Sequence, residues 1–162
     1  MSTDANARRA ARLAAVQALY QMELTSENAE MVVQEFLDHR FGRESEISPV
    51  GEPDEEFFTA LLRGVPKHQV EIDRSIARSL SADWKLERID SILRAILRAG
   101  CYELIAEHEI PAKVVIDEYV EIAHAFFGAQ EPGFVNAVLD KLAHRKRAIE
   151  FGEVPPDDEL QF

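Results

Sequence analysis

The stretch LERIDSILRAILRAGCYEL, residues 86–104, carries the apolar spacing that decides the fold of this 162-residue chain. Apolar residues recur in it at three- and four-residue steps, which is the period of an α-helix. Small and large apolar side chains are spread around the helix, so we expect it to be buried on more than one side. A helix buried in this way needs other helices to cover it.

Helical periodicity continues on either side of this stretch, where six more helices are predicted. Their apolar residues are Leu13, Val16, Tyr20 and Leu24; Val32, Val33, Phe36 and Leu37; Phe57, Phe58, Leu61 and Leu62; Val70, Ile76 and Leu80; Val114, Val115, Ile116, Tyr119 and Ile122; and Val135, Val138, Leu139 and Leu142. The sequence has no alternating strand pattern and no Asn-Gly or Asp-Gly hairpin signal, so the fold class is predicted to be all-α. The length allows one well-buried core or two small helical halves.

Two segments lack helical periodicity. Residues 42–53, GRESEISPVGEP, have the Gly, Pro and Ser content of a loop. Residues 148–162 are acidic, contain adjacent prolines and show no apolar period, which predicts a flexible acidic tail.

Basic residues cluster at the two ends of a chain whose net charge is -12. Arg8, Arg9 and Arg12 lie at the head of the first predicted helix, and His144-Arg-Lys-Arg147 lies at the end of the last. Long-range attraction to nucleic acid is not expected at this net charge. The clusters are therefore interpreted as local contacts for phosphates.

The arginines of the first cluster lie on the side of the helix that is expected to be buried. At 100° per residue, Arg9 and Arg12 project within the angular range of the stripe formed by Leu13, Val16 and Tyr20. Unpaired charges cannot continue a buried stripe, so the first turns are expected to overhang the core or to stay disordered until an anion binds. The alternative is a solvated helix start whose arginines have no role, and chemistry alone leaves both readings open.

No catalytic or metal site is predicted. Glu121 and His124 have the Glu-x-x-His spacing of di-iron bundles, but the motif occurs once and reads better as a solvent-facing pair. No nucleophile motif or glycine-rich phosphate loop is present. Cys101 is the only cysteine, which fits a reducing cytoplasm and a buried structural thiol. No stretch has the length of a membrane span, and the opening residues do not resemble a signal peptide.

The loop Gly128-Ala-Gln-Glu-Pro-Gly133 leads into Phe134-Val-Asn136 at a predicted helix start. Free backbone N–H groups there can hold a phosphate, and Phe134 can stack on an unpaired base. Phe126 and Phe127 are interpreted as core residues. For Phe134 the sequence leaves base stacking and core packing open.

Four segments together resemble the NusB family of bacterial transcription antitermination factors. They are RRAARLAAVQALYQ (8–21), ILRAGCYELI (96–105), IPAKVVIDEYVEIA (110–123) and FGAQEPGFVNAVLDKLA (127–143). The resemblance covers nearly the whole chain to about Arg147, and the combination of motifs is specific.

The resemblance implies one helical domain, residues 1–147, made of packed halves at about 6–80 and 84–147. It implies a binding function without catalysis or cofactor: with the ribosomal protein NusE, such proteins bind single-stranded boxA RNA. The antitermination complex then lets RNA polymerase read through terminators, notably in ribosomal RNA operons. The positions that match family positions for RNA are Arg8, Arg9, Arg12, Lys113 and Phe134, and Tyr20 falls near the NusE contact.

The sequence departs from the family pattern at Ala10, a commonly basic position, and in a loop before Phe134 that is one residue shorter. The first alternative function is the NusB-like RNA-binding domain of a ribosomal RNA methyltransferase. The second is a helical adaptor whose arginines bind only protein. Some relatives self-associate through the surface that would otherwise receive partners, so the resemblance allows a homodimer without the partner, and the sequence leaves that oligomeric state open.

Overall fold

The computed structural model describes residues 3–41 and 52–156, and within them the chain is helical. Seven α-helices occur in these ranges: α1 Thr3–Thr25, α2 Ala29–Glu35, α3 Glu55–Lys67, α4 Gln69–Ser79, α5 Ser91–Ala106, α6 Ala112–Phe126 and α7 Gln130–Lys146. A π-type turn follows α2 at Phe36–Arg40, and 3-10 turns occur at Leu86–Arg88 and Ala148–Phe151. No strand appears in the described residues, so the predicted all-α class is confirmed.

The chain divides into two compact units, the first ending at Lys67 and the second beginning at His68. The sequence placed this division later, between residues 80 and 84. It falls earlier because α4 packs against α5 and α7 and so belongs to the second unit. Within α4 the buried residues include Ile72 and Ile76, whereas Val70, a predicted core position, is exposed.

In the first unit, α1 is buried through its small residues. It packs against α3 and α2. Its buried side chains are Ala10, Ala11, Ala14, Ala15, Val16, Ala18 and Leu19. The predicted apolar stripe is therefore mostly wrong: Leu13 and Tyr20 are half-buried, and Leu24 is 62% exposed. Short side chains on α1 leave room for large rings from the neighbouring helices, because a close-packed core needs complementary volumes.

Those rings come from Phe36, Phe41 and Phe58. Phe58 stacks on Phe36 with centroids 5.3 Å apart and meets the edge of Phe41 at 4.8 Å. Aromatic pairs in such geometries stabilise a core by about 0.5–1.5 kcal/mol beyond their burial. Most of the predicted loop at residues 42–53 lies outside the described residues.

In the second unit, α5 is the central helix and packs against α4, α6 and α7. The expectation that it is buried on more than one side is thus confirmed. It begins at Ser91 and not at Leu86, because the Asp90 carboxylate accepts hydrogen bonds from the N–H groups of Ile92 (2.8 Å) and Leu93 (3.3 Å). Gly100 lets α7 approach, since a Cβ there would lie 2.9 Å from Leu139 Cδ1.

Two predicted side-chain placements in this unit are settled. Cys101 is buried, as expected of a structural thiol. Tyr119 is also buried, and its hydroxyl donates a hydrogen bond to the buried carboxylate of Glu103. A buried carboxylate without such a donor would be costly, so this bond helps to fix α6 on α5.

The segment after α7 differs from the predicted flexible tail where the structure describes it. Residues Ala148–Phe151 form a 3-10 turn, which Gly152 ends in the left-handed region at φ 70°. The Glu153 N–H then donates back to the Ala148 carbonyl at 2.9 Å. Residues 157–162 lie outside the described residues.

Candidate nucleic-acid interface

The N-terminal arginines are placed by a junction between α1 and α3. The Asp54 N–H donates to the Ala7 carbonyl at 2.9 Å. The Asp54 carboxylate accepts from the Phe57 N–H at 3.0 Å and so caps the start of α3. One acidic residue therefore fixes the beginning of α3 beside the second turn of α1.

This junction sets the Phe57 ring beneath two of the arginines. The guanidinium carbon of Arg12 lies 5.1 Å from the ring centroid, and that of Arg8 lies 5.9 Å from it. Both are cation–π distances. Arg12 is only 3% exposed, whereas Arg8 and Arg9 are half-buried.

The expectation of an overhanging or disordered helix start is thus wrong. α1 is already helical at Thr3, and Arg12 is buried. An aromatic face compensates part of the desolvation of a guanidinium, so Arg12 can be buried where an unpaired charge could not. The outward-facing part of the cluster consists of Arg8 and Arg9.

The C-terminal cluster has a structural role, contrary to the phosphate-contact interpretation. Arg147 is 5% exposed, and in the described part of the chain its guanidinium donates to groups of its own unit. Nε donates to the Leu104 carbonyl at 2.6 Å and one terminal nitrogen to the Ile110 carbonyl at 2.9 Å. The other terminal nitrogen donates to the carbonyls of Glu107 (2.8 Å) and Glu103 (3.3 Å).

Glu150 completes this arrangement. Its carboxylate pairs with Arg147 and accepts a hydrogen bond from the Ala112 N–H, 3.0 Å away, at the start of α6. Burial raises the pKa of the Glu150 carboxyl, but the bonds from Ala112 and Arg147 outweigh it, so the pKa lies below its ordinary value. The residue therefore stays ionised and ties the turn after α7 to α6.

The other members of the cluster are also engaged within the second unit. Arg145 donates to the Ser75 carbonyl at 2.9 Å and to the Ser79 hydroxyl at 2.7 Å, which ties α7 to α4. Lys146 is buried. The end of α7 therefore uses Arg145 and Arg147 for contacts inside this unit.

His144 joins α7 to the turn that follows it. Its ring stacks on Phe151 with centroids 4.0 Å apart, and Nδ1 lies 2.6 Å from a Glu153 carboxylate oxygen. Asp140 lies 3.6 Å from the other ring nitrogen. The hydrogen bond with Glu153, aided by the charges of Glu153 and Asp140, raises the pKa of His144 above its ordinary value.

The other two residues matched to RNA positions lie on separate helices of the second unit. Lys113 is exposed in the first turn of α6. Phe134 is half-buried in the second turn of α7, which begins at Gln130 and not at Pro132. Phe126, interpreted as core, is instead 37% exposed because it ends α6.

Phe134 lies against Trp84, with ring centroids 5.2 Å apart and planes inclined by 46°. The two rings border a groove of about 320 Å³. Its lining residues are Trp84, Arg88, Ile89, Asp90, Leu93, Phe127, Gln130, Glu131 and Phe134. Sequence reasoning missed Trp84, although a tryptophan between Asp83 and Lys85 in a polar connection was a usable signal.

A separate surface lies on α1. Leu13, Tyr20 and Leu24 share one side of the helix at steps of seven and four residues, and none of them is fully buried. Next to Tyr20, the Gln21 amide donates to Glu27 at 3.1 Å and to Glu35 at 3.0 Å. These bonds hold the end of α1 against α2.

Within residues 3–41 and 52–156, no group of three or more His, Cys, Asp or Glu side chains is placed to hold a metal ion. Glu121 and His124 are both exposed on α6. None of the helices in these ranges is long and apolar enough to cross a membrane.

Fold and side chains together define a small all-helical protein with exposed cationic and aromatic groups. The NusB family profile matches residues 9–144. The transcription antitermination protein NusB of Maricaulis maris is 49% identical over 147 residues, which are 91% of this chain and 92% of that relative. The chain belongs to the NusB family.

Solved structures agree with this assignment. The structure of T. maritima NusB superposes with a TM-score of 0.74 and 33% identity, covering 90% of this chain and 96% of that one. A chain from the crystal structure of the antitermination factors NusB and NusE in complex with double-stranded RNA gives a TM-score of 0.68 and 25% identity. That match covers 84% of this chain and 95% of the other.

Proposed function

We propose that this chain is an RNA-binding transcription antitermination factor that acts with NusE on boxA RNA. The pair would join the antitermination complex of RNA polymerase in the cytoplasm and promote read-through, notably in ribosomal RNA operons. The observation that carries the proposal is membership of the NusB family along nearly the full length of a curated relative. The proposed role is binding, with no catalytic step.

On the RNA side, Arg8 and Arg9 contact backbone phosphates from the surface of the first unit. Arg12 supports them from inside, because it shares the Phe57 ring with Arg8. In the second unit, exposed Lys113 supplies another cation and Phe134 an aromatic face. Arginine and lysine hold the backbone in such interfaces, while aromatic rings stack on unpaired bases.

On the protein side, Tyr20 and its neighbours Leu13 and Leu24 on α1 form the surface for NusE. These apolar side chains remain partly exposed although the same helix buries its alanines. A net charge of -12 makes the chain a weak RNA binder by itself. A basic ribosomal partner extends the binding surface, so the heterodimer is the working unit.

The test is fluorescence anisotropy with labelled boxA and scrambled RNA, with and without NusE, over a salt series. We expect tight binding only for the pair with boxA RNA, and a log–log salt slope of roughly -0.7 per neutralised phosphate. Equal affinity of the chain alone and of the pair would contradict the heterodimer claim. Equal affinity for boxA and scrambled RNA would contradict specific recognition.

A charge reversal separates this function from that of a helical adaptor. The variant Arg8→Glu/Arg9→Glu should weaken RNA binding by the pair and leave NusE binding unchanged. Arg63→Glu is a control for added negative charge on the first unit, at an exposed position paired with Glu30. Weakened NusE binding with unchanged RNA affinity would favour the adaptor.

A further inference from the structure

We propose that Trp84 is a base-stacking residue, and that the groove it forms with Phe134 receives one unpaired nucleobase of the bound RNA. This inference rests on the proposed function and adds a specific subsite to it. The subsite lies wholly within the second unit. The resemblance assigned no role to Trp84.

The first observation is the exposure of a large aromatic ring in a fixed position. Trp84 is 51% exposed. Its backbone N–H donates to the Ser81 carbonyl at 3.0 Å, and the 3-10 turn Leu86–Arg88 begins two residues later. Phe134 packs against one side of the indole. The ring is thus held in place with a face left open, as a stacking surface requires.

The second observation is the make-up of the groove. Its floor is apolar, since Ile89 and Leu93 are almost fully buried. Its rim carries the donors of Arg88, the amide of Gln130 and the carboxylate of Glu131. A nucleobase has apolar faces and an edge with both donors and acceptors, and this combination of floor and rim matches it.

The spacing of the rings decides how the base binds. A flat base inserted between two rings needs roughly 7 Å between them, at about 3.5 Å for each contact. The centroids of Trp84 and Phe134 are 5.2 Å apart, so the pair cannot enclose a base without separating. The base therefore does not enter between the rings, but stacks on the part of the indole that lines the groove, beside Phe134.

The charged residues of the groove lining are one cation, Arg88, and two carboxylates, Asp90 and Glu131, so the positions of these groups and not their net charge carry the case for a nucleotide. Asp90 is on the rim, but its carboxylate accepts two backbone N–H bonds as the cap of α5, so its charge faces the helix start. Arg88 is exposed beside the groove and can reach the phosphate of a stacked nucleotide. Phe134, already a proposed RNA contact, forms part of the same wall.

The chain contains a single tryptophan, so its emission reports directly on the subsite. The complex with NusE is titrated with boxA RNA while anisotropy of labelled RNA and tryptophan emission are both recorded. The Trp84→Phe complex supplies the background emission of NusE. We expect emission from Trp84 to be quenched with the same midpoint as the anisotropy change.

Affinity gives an independent measure. Trp84→Ala should weaken boxA binding by about 5- to 100-fold, because stacking on one base is lost, and Trp84→Phe should weaken it less. Phe126→Ala is the matched control, since it removes an exposed ring of the same unit that does not line the groove. Circular dichroism checks that each variant is folded.

A set of boxA RNAs with one abasic nucleotide each locates the base. At one position, removal of the base should weaken RNA binding by the wild-type complex. At that same position it should cause no further loss of affinity in the Trp84→Ala complex. Additive losses at every position would overturn the stacking proposal.

The remaining outcomes separate the two proposals. RNA binding with unchanged Trp84 emission and unchanged Trp84→Ala affinity would overturn the subsite and leave the proposed function standing. Quenching by NusE alone, with no further change on adding RNA, would make the groove a protein contact and overturn the subsite. Failure of the wild-type complex to bind boxA RNA would overturn both.

Discussion

The two basic clusters look alike in sequence and differ in the structure. At the N-terminus, Arg8 and Arg9 are half-buried on the surface of the first unit. At the C-terminus, Arg147 is almost fully buried and donates to four backbone carbonyls of the second unit. The difference shows that the acceptors within reach of a guanidinium, and not the local density of charge, decide whether it is structural.

Helix polarity explains which acceptors are within reach. The last carbonyls of a helix have no partner inside it and carry partial negative charge. Arg147 donates to the carbonyls of Glu103 and Leu104 in the last turn of α5, the first of which also accepts the Glu107 N–H, so Arg147 acts as a C-terminal cap. The start of a helix presents N–H groups instead. Near the start of α1, the described contacts of Arg8 and Arg12 include the ring of Phe57.

The largest effect is expected from Arg147→Met. The change removes the guanidinium donors from the buried carbonyls of Leu104 and Ile110 and one of the donors from the Glu150 carboxylate, so the free energy of unfolding should fall by about 3–5 kcal/mol. Urea titration followed by Trp84 fluorescence measures it in the second unit. Lys141→Met is the control, because it removes a positive charge from an exposed position of α7.

Arg147→Lys tests geometry against charge. Lysine keeps the charge but lacks the planar fork of donors, so most of the loss should remain. Full stability of Arg147→Lys, or an equal loss in Lys141→Met, would contradict the capping role.

The next effect compares two arginines over the same ring. Arg12→Met should lower the free energy of unfolding by about 2 kcal/mol, because a desolvated cation–π contact is lost. Arg8→Met should cost about 0.5–1 kcal/mol, since its guanidinium is more exposed and lies further from Phe57. Far-UV circular dichroism in urea measures both. A larger loss of stability for Arg8→Met than for Arg12→Met would contradict the assignment of Arg12 as the buried arginine.

Much of the fold follows from local signals in the sequence. The period of residues 86–104 predicts a central helix, which in the structure begins later, at Ser91, after the capping side chain of Asp90. The period of α1 was misleading, because alanines form its buried face and the larger residues Leu13 and Tyr20 do not. Periodicity finds the helix, but which face is buried depends on the volumes of its neighbours.

The candidate site was less accessible to sequence reasoning. Arg12 and Arg147 carry the same charge as Arg8, and their burial depends on Phe57 and on carbonyls more than 30 residues away in the chain. Trp84 was missed because its partner Phe134 lies on α7, in another segment of the chain. Contacts of this range follow from tertiary packing and have no periodic signature.

A smaller effect is expected on the salt dependence of RNA binding. It should distinguish Arg8 on the surface from Arg63, which is bonded to Glu30. Arg8→Gln in the NusE complex should make the log–log salt slope less negative by about 0.7, as expected for one lost phosphate contact to single-stranded RNA. Arg63→Gln is the matched control, because the same unit loses the same charge at a residue bonded to Glu30. Equal slopes for the two variants would show that Arg8 acts only through overall charge.

The smallest effect concerns the pH dependence of the contact between His144 and Glu153. Because the folded-state pKa of His144 is raised above 6.5, the contact stabilises the protein fully below that pH and loses its contribution as pH rises through the raised pKa. Glu153→Gln should therefore cost more stability at about pH 5.5 than at about pH 8.5, and under about 1 kcal/mol at either, since the pair is exposed.

Urea titration at the two pH values measures this difference, and an NMR titration of the His144 ring gives the pKa. Asp140→Asn should lower that pKa less than Glu153→Gln, because Asp140 lies 3.6 Å from the ring and Glu153 lies 2.6 Å from it. An equal cost of Glu153→Gln at both pH values would show that stacking on Phe151 holds the turn after α7 without the ion pair. In that case the charge of His144 would contribute nothing to stability, in contrast to the charge of Arg147 three residues later.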